Sequence, residues 1–304
     1  MTISTSQIYN RSTSLFAALA KKTDTLQTQI GSGKKIVAPS DDAVAYRRLV
    51  GIKQASANDA AYAGNISLSQ SLLAQSDATL SSIEAQLQHA QELTLQASNG
   101  TLPPESQKVI ATQLKAVLDD LVGLANTIDS RGQPLFAAET GDGAVTRAAD
   151  GTVSFTGTGT PAAIPIGENN TVQPTESAER VFGNIATASG PSDTFAIIAK
   201  FAAALDAGLA SNPTAAAEAN SALKTALDQV IGVHSSVGVR GARLDLESER
   251  LTQTQTNREA DRSSLEDTDV TAAITELQKT LTVLQATQTS FSRLSQLSLF
   301  DVLR

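Results

Sequence analysis

At 304 residues the chain is long enough for two modest domains or for one domain carrying long helical arms, and its low aromatic content, 4% with no Trp, favours arms packed side by side. A formal net charge of -8, with no clustered run of Lys and Arg, argues against nucleic acid as a ligand. Cysteine is absent, which excludes disulfides, thiolate metal sites and a Cys nucleophile, and no apolar run approaches the roughly 20 residues of a membrane span.

The opening Met1-Thr2-Ile3-Ser4-Thr5-Ser6-Gln7 has neither a basic region nor an apolar core, so a cleaved secretory signal is not expected. Apolar residues at Ile8, Leu15, Leu19, Leu26 and Ile30 keep helical spacing from about residue 5 to 30, and Gly31-Ser32-Gly33 stops that helix. The basic doublets Lys21-Lys22, Lys34-Lys35 and Arg47-Arg48 are spread over this region and read as solvated faces, with contact to an acidic partner as the other reading. Pro39-Ser40-Asp41-Asp42 is a helix start, with Ser40 or Asp41 as the capping side chain and carboxylates at the positive end of the macrodipole.

The helix that follows acquires a heptad seam: Ile66, Leu73, Leu80, Leu87 and Thr94 step by sevens, with Ile83, Ala90 and Ala97 between them and Ser69 and Ser76 weakening it. Asn99-Gly100 ends it and Pro103-Pro104-Glu105 opens the next, where Ile110, Leu114, Val117, Leu121, Leu124 and Ile128 predict an antiparallel partner. From 137 to 192 helical periodicity gives way to Gly, Thr, Pro and Asn among short runs such as Thr152-Val153-Ser154-Phe155, which predicts a small β-containing insert.

A helix from about Asp193 to Leu209 leads back. A second long seam then runs through Leu223, Leu227, Val230, His234, Val237, Gly241, Leu244, Ser248 and Leu251, with a polar continuation to about Ser264. The last segment carries Val270, Ile274, Leu277, Leu281, Leu284, Gln288 and Phe291 and ends in Leu297, Leu299, Phe300, Val302 and Leu303.

The predicted fold is therefore mainly α: a long antiparallel helical bundle with coiled-coil-like N- and C-terminal helices and a small β-rich inserted domain. Its parts are an N-terminal assembly helix over 1–40, a helical core over 41–136 and 193–265 split by the insert 137–192, and a C-terminal assembly helix over 266–304. The expected assembly interface comprises Ile8, Leu15, Leu19, Leu26, Ile274, Leu277, Leu281, Leu284, Phe291, Leu299, Phe300 and Leu303. From periodicity alone two readings stand. Either the terminal seams await neighbouring subunits, or they pack on the central bundle as ordinary amphipathic helices.

Chemistry is sparse. His89 and His234 are the whole histidine supply, in separate helices, too few for a zinc site or a Ser-His-Asp triad, and His234 falls on a packing seam. Asp41-Asp42 and Asp119-Asp120 are sequence neighbours that point about 100° apart on a helix, so neither forms an acid-base pair; capping accounts for the first and a solvated face for the second. Gly31-Ser32-Gly33-Lys34-Lys35 fails the phosphate-loop pattern, and Glu266-Asp267-Thr268-Asp269 lacks the glycine of a calcium loop and reads as a helix cap. No enzyme, cofactor or metal is expected.

Several segments resemble one family. The opening through Ile8-Tyr9, the break Gly31-Ser32-Gly33-Lys34-Lys35-Ile36 followed by Pro39-Ser40-Asp41-Asp42-Ala43, and Gln91-Glu92-Leu93-Thr94-Leu95-Gln96-Ala97-Ser98-Asn99-Gly100-Thr101 are similar to the helical ends of the flagellin superfamily. Leu124-Ala125-Asn126-Thr127, Gly132-Gln133-Pro134-Leu135-Phe136 and the tail Ser298-Leu299-Phe300-Asp301-Val302-Leu303 resemble its hook-filament junction branch, with Pro134 and Val302 departing from the usual residue. The resemblance implies a secreted structural adaptor of the bacterial flagellum that forms a homo-oligomeric ring. Its implied partners are hook-associated protein 1, flagellin and a cytoplasmic export chaperone on the C-terminal helix. It also implies extracellular location and export by the flagellar type III apparatus, while the charge and the lack of a long apolar run leave no nucleic-acid or membrane partner expected. A short filament-forming flagellin and a flagellin-like surface adhesin are the alternatives.

Overall fold

The computed structural model describes residues 5–99, 102–137, 143–156 and 159–302, with backbone alone for 5, 6, 8 and 294–302. As predicted, the chain is mainly α. The elements run α1 (Thr5–Ser32), α2 (Ala43–Ala97), α3 (Pro104–Ala125), β1 (Val145–Arg147), β2 (Val153–Phe155), β3 (Ile164–Pro165), β4 (Thr171–Val172), α4 (Ala178–Phe182), β5 (Ile185–Thr187), β6 (Gly190–Ser192), α5 (Thr194–Ala207), α6 (Ala215–Glu266) and α7 (Val270–Val302), with a short 3-10 turn at Leu209–Ser211. The strands form three antiparallel hairpins, β1-β2, β3-β4 and β5-β6.

Two compact units result, one of Met1–Asn58 with Gln253–Arg304 and one of Asp59–Thr252. The central unit carries the heptad seam. Leu80, Ile83, Leu87 and Ala90 of α2, Leu114 and Leu121 of α3, and Leu223, Val230 and Leu244 of α6 are all fully buried in one core. Burying such a side chain is worth roughly 2 kcal/mol, and three helices seamed at the heptad period bury theirs against one another. Ser69 and Ser76 lie in the same seam, fully buried, and among the described residues neither hydroxyl has a hydrogen-bond partner.

The helix α3 runs back along α2, with Gln86 Nε2 donating to Asp120 Oδ2 at 3.2 Å and Gln75 Nε2 to the Ile128 carbonyl at 2.9 Å. Its closest helix neighbour, however, is α5, on which Ala199 and Ala202 share the face of Asp206, small side chains that suit a close approach of the two axes. Lys115 pairs with Asp206 at 2.6 Å and the Leu209 amide donates to Gln107 Oε1 at 3.0 Å, so this pair is antiparallel too. Asp193 starts α5 by accepting the Ala196 amide at 2.8 Å.

One seam position departs from expectation. Ile128 lies beyond the end of α3 and is 59% exposed, because the chain leaves the helix at Asn126 to form a bridge between Ile128 and Pro134. Asn126 explains the departure. Its side-chain oxygen accepts the amides of Ala144 (2.8 Å) and Val145 (3.0 Å), and its nitrogen donates to the Val145 carbonyl (3.0 Å), so α3 is stopped in order to hold β1. Asp129 then organises a tight turn by accepting the Arg131 and Gln133 amides, with Gly132 at φ +76, and the turn delivers Leu135 and Phe136 to the core.

The insert shares that core, with Val145, Val172, Phe182 and Ile185 in the same cluster as the helical seams. Asn65 Nδ2 ties β3 by donating to the Pro165 carbonyl at 2.7 Å, and Asn170 Nδ2 donates to Glu247 of α6 at 2.9 Å.

Candidate assembly surfaces

In the unit built from both ends of the chain, α1 and α7 pack antiparallel. Tyr9 meets Phe291 with ring centroids 5.5 Å apart, Phe16 meets the same ring edge-on at 5.7 Å, and further along Lys22 pairs with Glu276. Thr23, Leu26, Ala273 and Thr280 are buried between the helices. The burial stops there. Leu19, Leu277, Leu284 and Phe291 are half-buried, whereas Leu15 (45%), Ile274 (41%) and Leu281 (44%) stay exposed, as do Tyr9, Val270 and Val283. The side chains of Ile8, Leu299 and Phe300, and Leu303 entirely, lie outside the described residues. Two amphipathic helices alone can cover only part of each other's apolar stripe, and the remainder is a ready surface for a further helix.

A polar clasp joins the inner ends of these helices. Gly33, at φ +69, ends α1 in the left-handed conformation that suits glycine, and Lys34 bridges to Asp267 across the two connecting loops. The Lys35 amide donates to the Glu266 carbonyl at 2.6 Å and the Thr268 amide to the Gly33 carbonyl at 2.9 Å. Glu266 itself is 1% exposed and takes Lys34 (2.9 Å), Lys53 (3.0 Å) and Arg262 (2.8 Å) around its carboxylate. The hydrogen bond from Lys34 leads in holding its pKa down to about 2, against the opposing effect of burial and with help from Lys53 and Arg262.

Lys22 and Lys34, expected on solvated faces, are about half exposed, and each also pairs with an acid more than two hundred residues away. Glu266, read as part of a cap, is the centre of the clasp, and the cap of α7 is Asp269, which accepts the Ala272 amide at 3.0 Å. The cap of α2 is neither Ser40 nor Asp41. Asp42 accepts the amides of Val44 and Ala45 at 2.9 Å, because Asp41 is already committed to the loop amides of Val37 and Ala38, which hold its pKa below the ordinary value.

His234 was legible as a seam residue, but its partners were not. Its two ring nitrogens face Glu84 Oε1 at 2.7 Å and Asp77 Oδ1 at 2.8 Å, two carboxylates seven residues apart on one face of α2. Two ionised acceptors require both nitrogens to carry protons. Burial opposes the charge, yet the bonds to Glu84 and Asp77 outweigh it and raise the His234 pKa above its ordinary 6.5. Asp119, expected on a solvated face, pairs with Arg147 of β1. Among the described residues no group of His, Asp and Glu is placed to hold a metal, and no helix is long and apolar enough to cross a membrane.

Comparison with known proteins matches both helical ends. The model of the bacterial flagellin N-terminal helical region matches residues 3–140, and that of the C-terminal helical region matches residues 221–303. The chain is 28% identical to the flagellar hook-associated protein 3 of Escherichia coli over 294 residues, 90% of each chain. It is 26% identical to the same protein of Salmonella typhimurium over 328 aligned positions that span both chains completely. The crystal structure of hook-associated protein 3 from Legionella pneumophila, 16% identical, superposes with a TM-score of 0.65, covering 70% of this chain and 98% of that one, and so shares its fold.

Proposed function

The chain belongs to the bacterial flagellin family and is a structural, non-enzymatic component of the flagellum, and on that footing we propose that it is the subunit joining hook to filament. The observation that carries this reading is the correspondence with two hook-associated protein 3 chains, over 90% of one and the whole of the other, including the insert between the helical ends. The half-covered seam of α1 and α7 supports it, since a subunit made to be held by neighbours keeps apolar surface in reserve.

In this reading copies form a ring between hook-associated protein 1 and flagellin. The segments 1–40 and 266–304 bury Leu15, Leu19, Ile274, Leu277, Leu281, Leu284 and Phe291 against adjacent subunits as coiled-coil-like arms, together with Ile8, Leu299, Phe300 and Leu303, whereas Leu26, expected there, is already covered within its own copy. The insert 137–192 spaces the outer surface. The subunit travels through the flagellar type III apparatus to the cell exterior, and a cytoplasmic chaperone covers the α7 stripe beforehand, because an apolar helix face left bare invites aggregation.

Deleting the gene in its own organism tests the proposal. The expected result is non-motile cells with bare hooks and flagellin shed into the medium. Normal filaments would overturn it, and purified protein that elongates into filaments from seeds would point to a short flagellin instead.

A further inference from the structure

The two units carry opposite charge. The terminal unit, Met1–Asn58 with Gln253–Arg304, has thirteen Lys and Arg against ten Asp and Glu, a formal +3, whereas the central unit Asp59–Thr252 has ten against twenty-one, a formal -11. The positive charge is concentrated early, since Met1–Asn58 alone holds eight basic and three acidic residues. Within it Lys35, Arg47 and Arg48 are exposed and, among the described residues, have no carboxylate partner. They are interleaved with apolar side chains that face solvent: Val44 is 62% exposed, Val37 and Val50 are 50%. On α2, Val44, Arg47, Val50 and Gly51 share a face roughly 120° wide at 100° per residue.

The central unit offers one exposed apolar stripe of matching kind. On α6, Ile231, Val239, Ala242 and Leu246 lie within an arc of about 80°, with Asp228 and Glu249 in the same arc at its two ends. Val239 (71%) and Leu246 (68%) are among the most exposed large apolar residues of the described chain, although the opposite face of α6 fills the core. Lys224 continues the stripe beyond Asp228 and Arg243 flanks it, while at the C-terminal end Asp245 and Glu249 stand on one side of Leu246 and Arg250, paired with Glu247 at 2.8 Å, on the other. A side chain at Gly51 of α2 or at Gly238 of α6 would meet no atom within 4 Å, so both faces are open to close approach.

We propose that the start of α2 in one copy docks on the outer stripe of α6 in a second copy, with Val44 near Val239 and Arg47 and Arg48 reaching Asp245 and Glu249. The steps from Val44 to Val50 and from Val239 to Leu246 are nearly equal, six and seven residues, so the helices can lie in register side by side. The occupant is a second copy because every copy presents both signs, +3 on one unit and -11 on the other, and a contact between two different patches repeats around a ring. This rests on the ring of the proposed function and specifies one of its subunit contacts.

The chain has no cysteine, so single cysteines report the contact cleanly. Purified full-length Val44→Cys and Val239→Cys variants, mixed at high concentration and oxidised, are expected to form a disulfide-linked dimer that neither variant forms alone. No dimer in the mixture, or an equal yield from Val44→Cys by itself, overturns the proposal. Adding Arg47→Glu and Arg48→Glu to the Val44→Cys chain should lower the yield at least about fivefold, since both charges are exposed and leave the fold intact. An unchanged yield overturns the acidic partner surface. The deletion phenotype is scored separately, so bare hooks without a cross-link would sink this contact and leave the junction reading standing.

Discussion

The two units of the molecule are built from the same material, long Ala-, Leu- and Gln-rich helices, yet they solve burial differently. In the central unit Leu80, Leu87, Leu114, Leu121 and Leu223 are fully covered by other parts of the same chain. In the terminal unit Leu15, Ile274 and Leu281 lie on helices of the same kind and remain more than 40% exposed. Periodicity alone makes a helix amphipathic; the number of helices around it decides whether the apolar stripe is finished. Three seams meet in one unit and only two in the other, which is how a single chain can be both a stable subunit and an incomplete one.

Equal truncations on the two sides should break that comparison most visibly. Leu87→Ala removes a fully buried side chain and is expected to cost about 2–5 kcal/mol in denaturant unfolding of the purified chain. Leu281→Ala, at a residue 44% exposed, should cost less than about 1 kcal/mol in the same measurement while reducing incorporation into flagella. Equal losses in the free protein would mean that the terminal seam is already complete.

The units should also fail at opposite ends of the pH scale. Glu266 has a folded pKa near 2 against an ordinary 4.5, so its contribution is present above pH 4.5 and is lost as pH falls toward 2. Because the partners Lys34 and Lys53 are half exposed, the loss is put at about 2 kcal/mol, and it should be seen as early hydrogen exchange of the 33–35 and 266–268 amides in acid. Glu266→Gln should remove that acid dependence. His234 has the reverse sign. Its pKa is raised, so the brace between α2 and α6 is complete below pH 6.5 and weakens as pH rises through the folded value, by about 1 kcal/mol. His234→Gln should flatten the alkaline side of the stability profile and leave the acid side unchanged; a flat profile in the unmodified chain would remove the brace from the account.

Much of the fold was legible because heptad spacing is a local signal. The ends of α1, α3 and α5 follow from Gly33, Pro104 and Asp193, each of which acts on its own few neighbours. What stayed hidden depends on contacts across the chain. Ile128 keeps perfect seam spacing, but Asn126 is called away to β1 nineteen residues on, and spacing cannot register that competition. Nothing around Glu266 announces that Lys34 and Lys53 will meet it, nor is the closeness of α3 to α5 visible before the alanines of α5 are seen against it. Asp77 and Glu84 did carry a usable signal: two acids one heptad apart beside a seam call for a cation on the facing helix.

The bridge between Lys34 and Asp267 joins points 233 residues apart, and the unit around it is drawn from both ends of the chain. Contacts of that separation form late, because the loop they close must first be organised or its entropy overcome. During synthesis the central bundle can begin to assemble as soon as α6 emerges, whereas α1 has to wait for α7. The helix α1 therefore finds its partner only after the whole central bundle has been made.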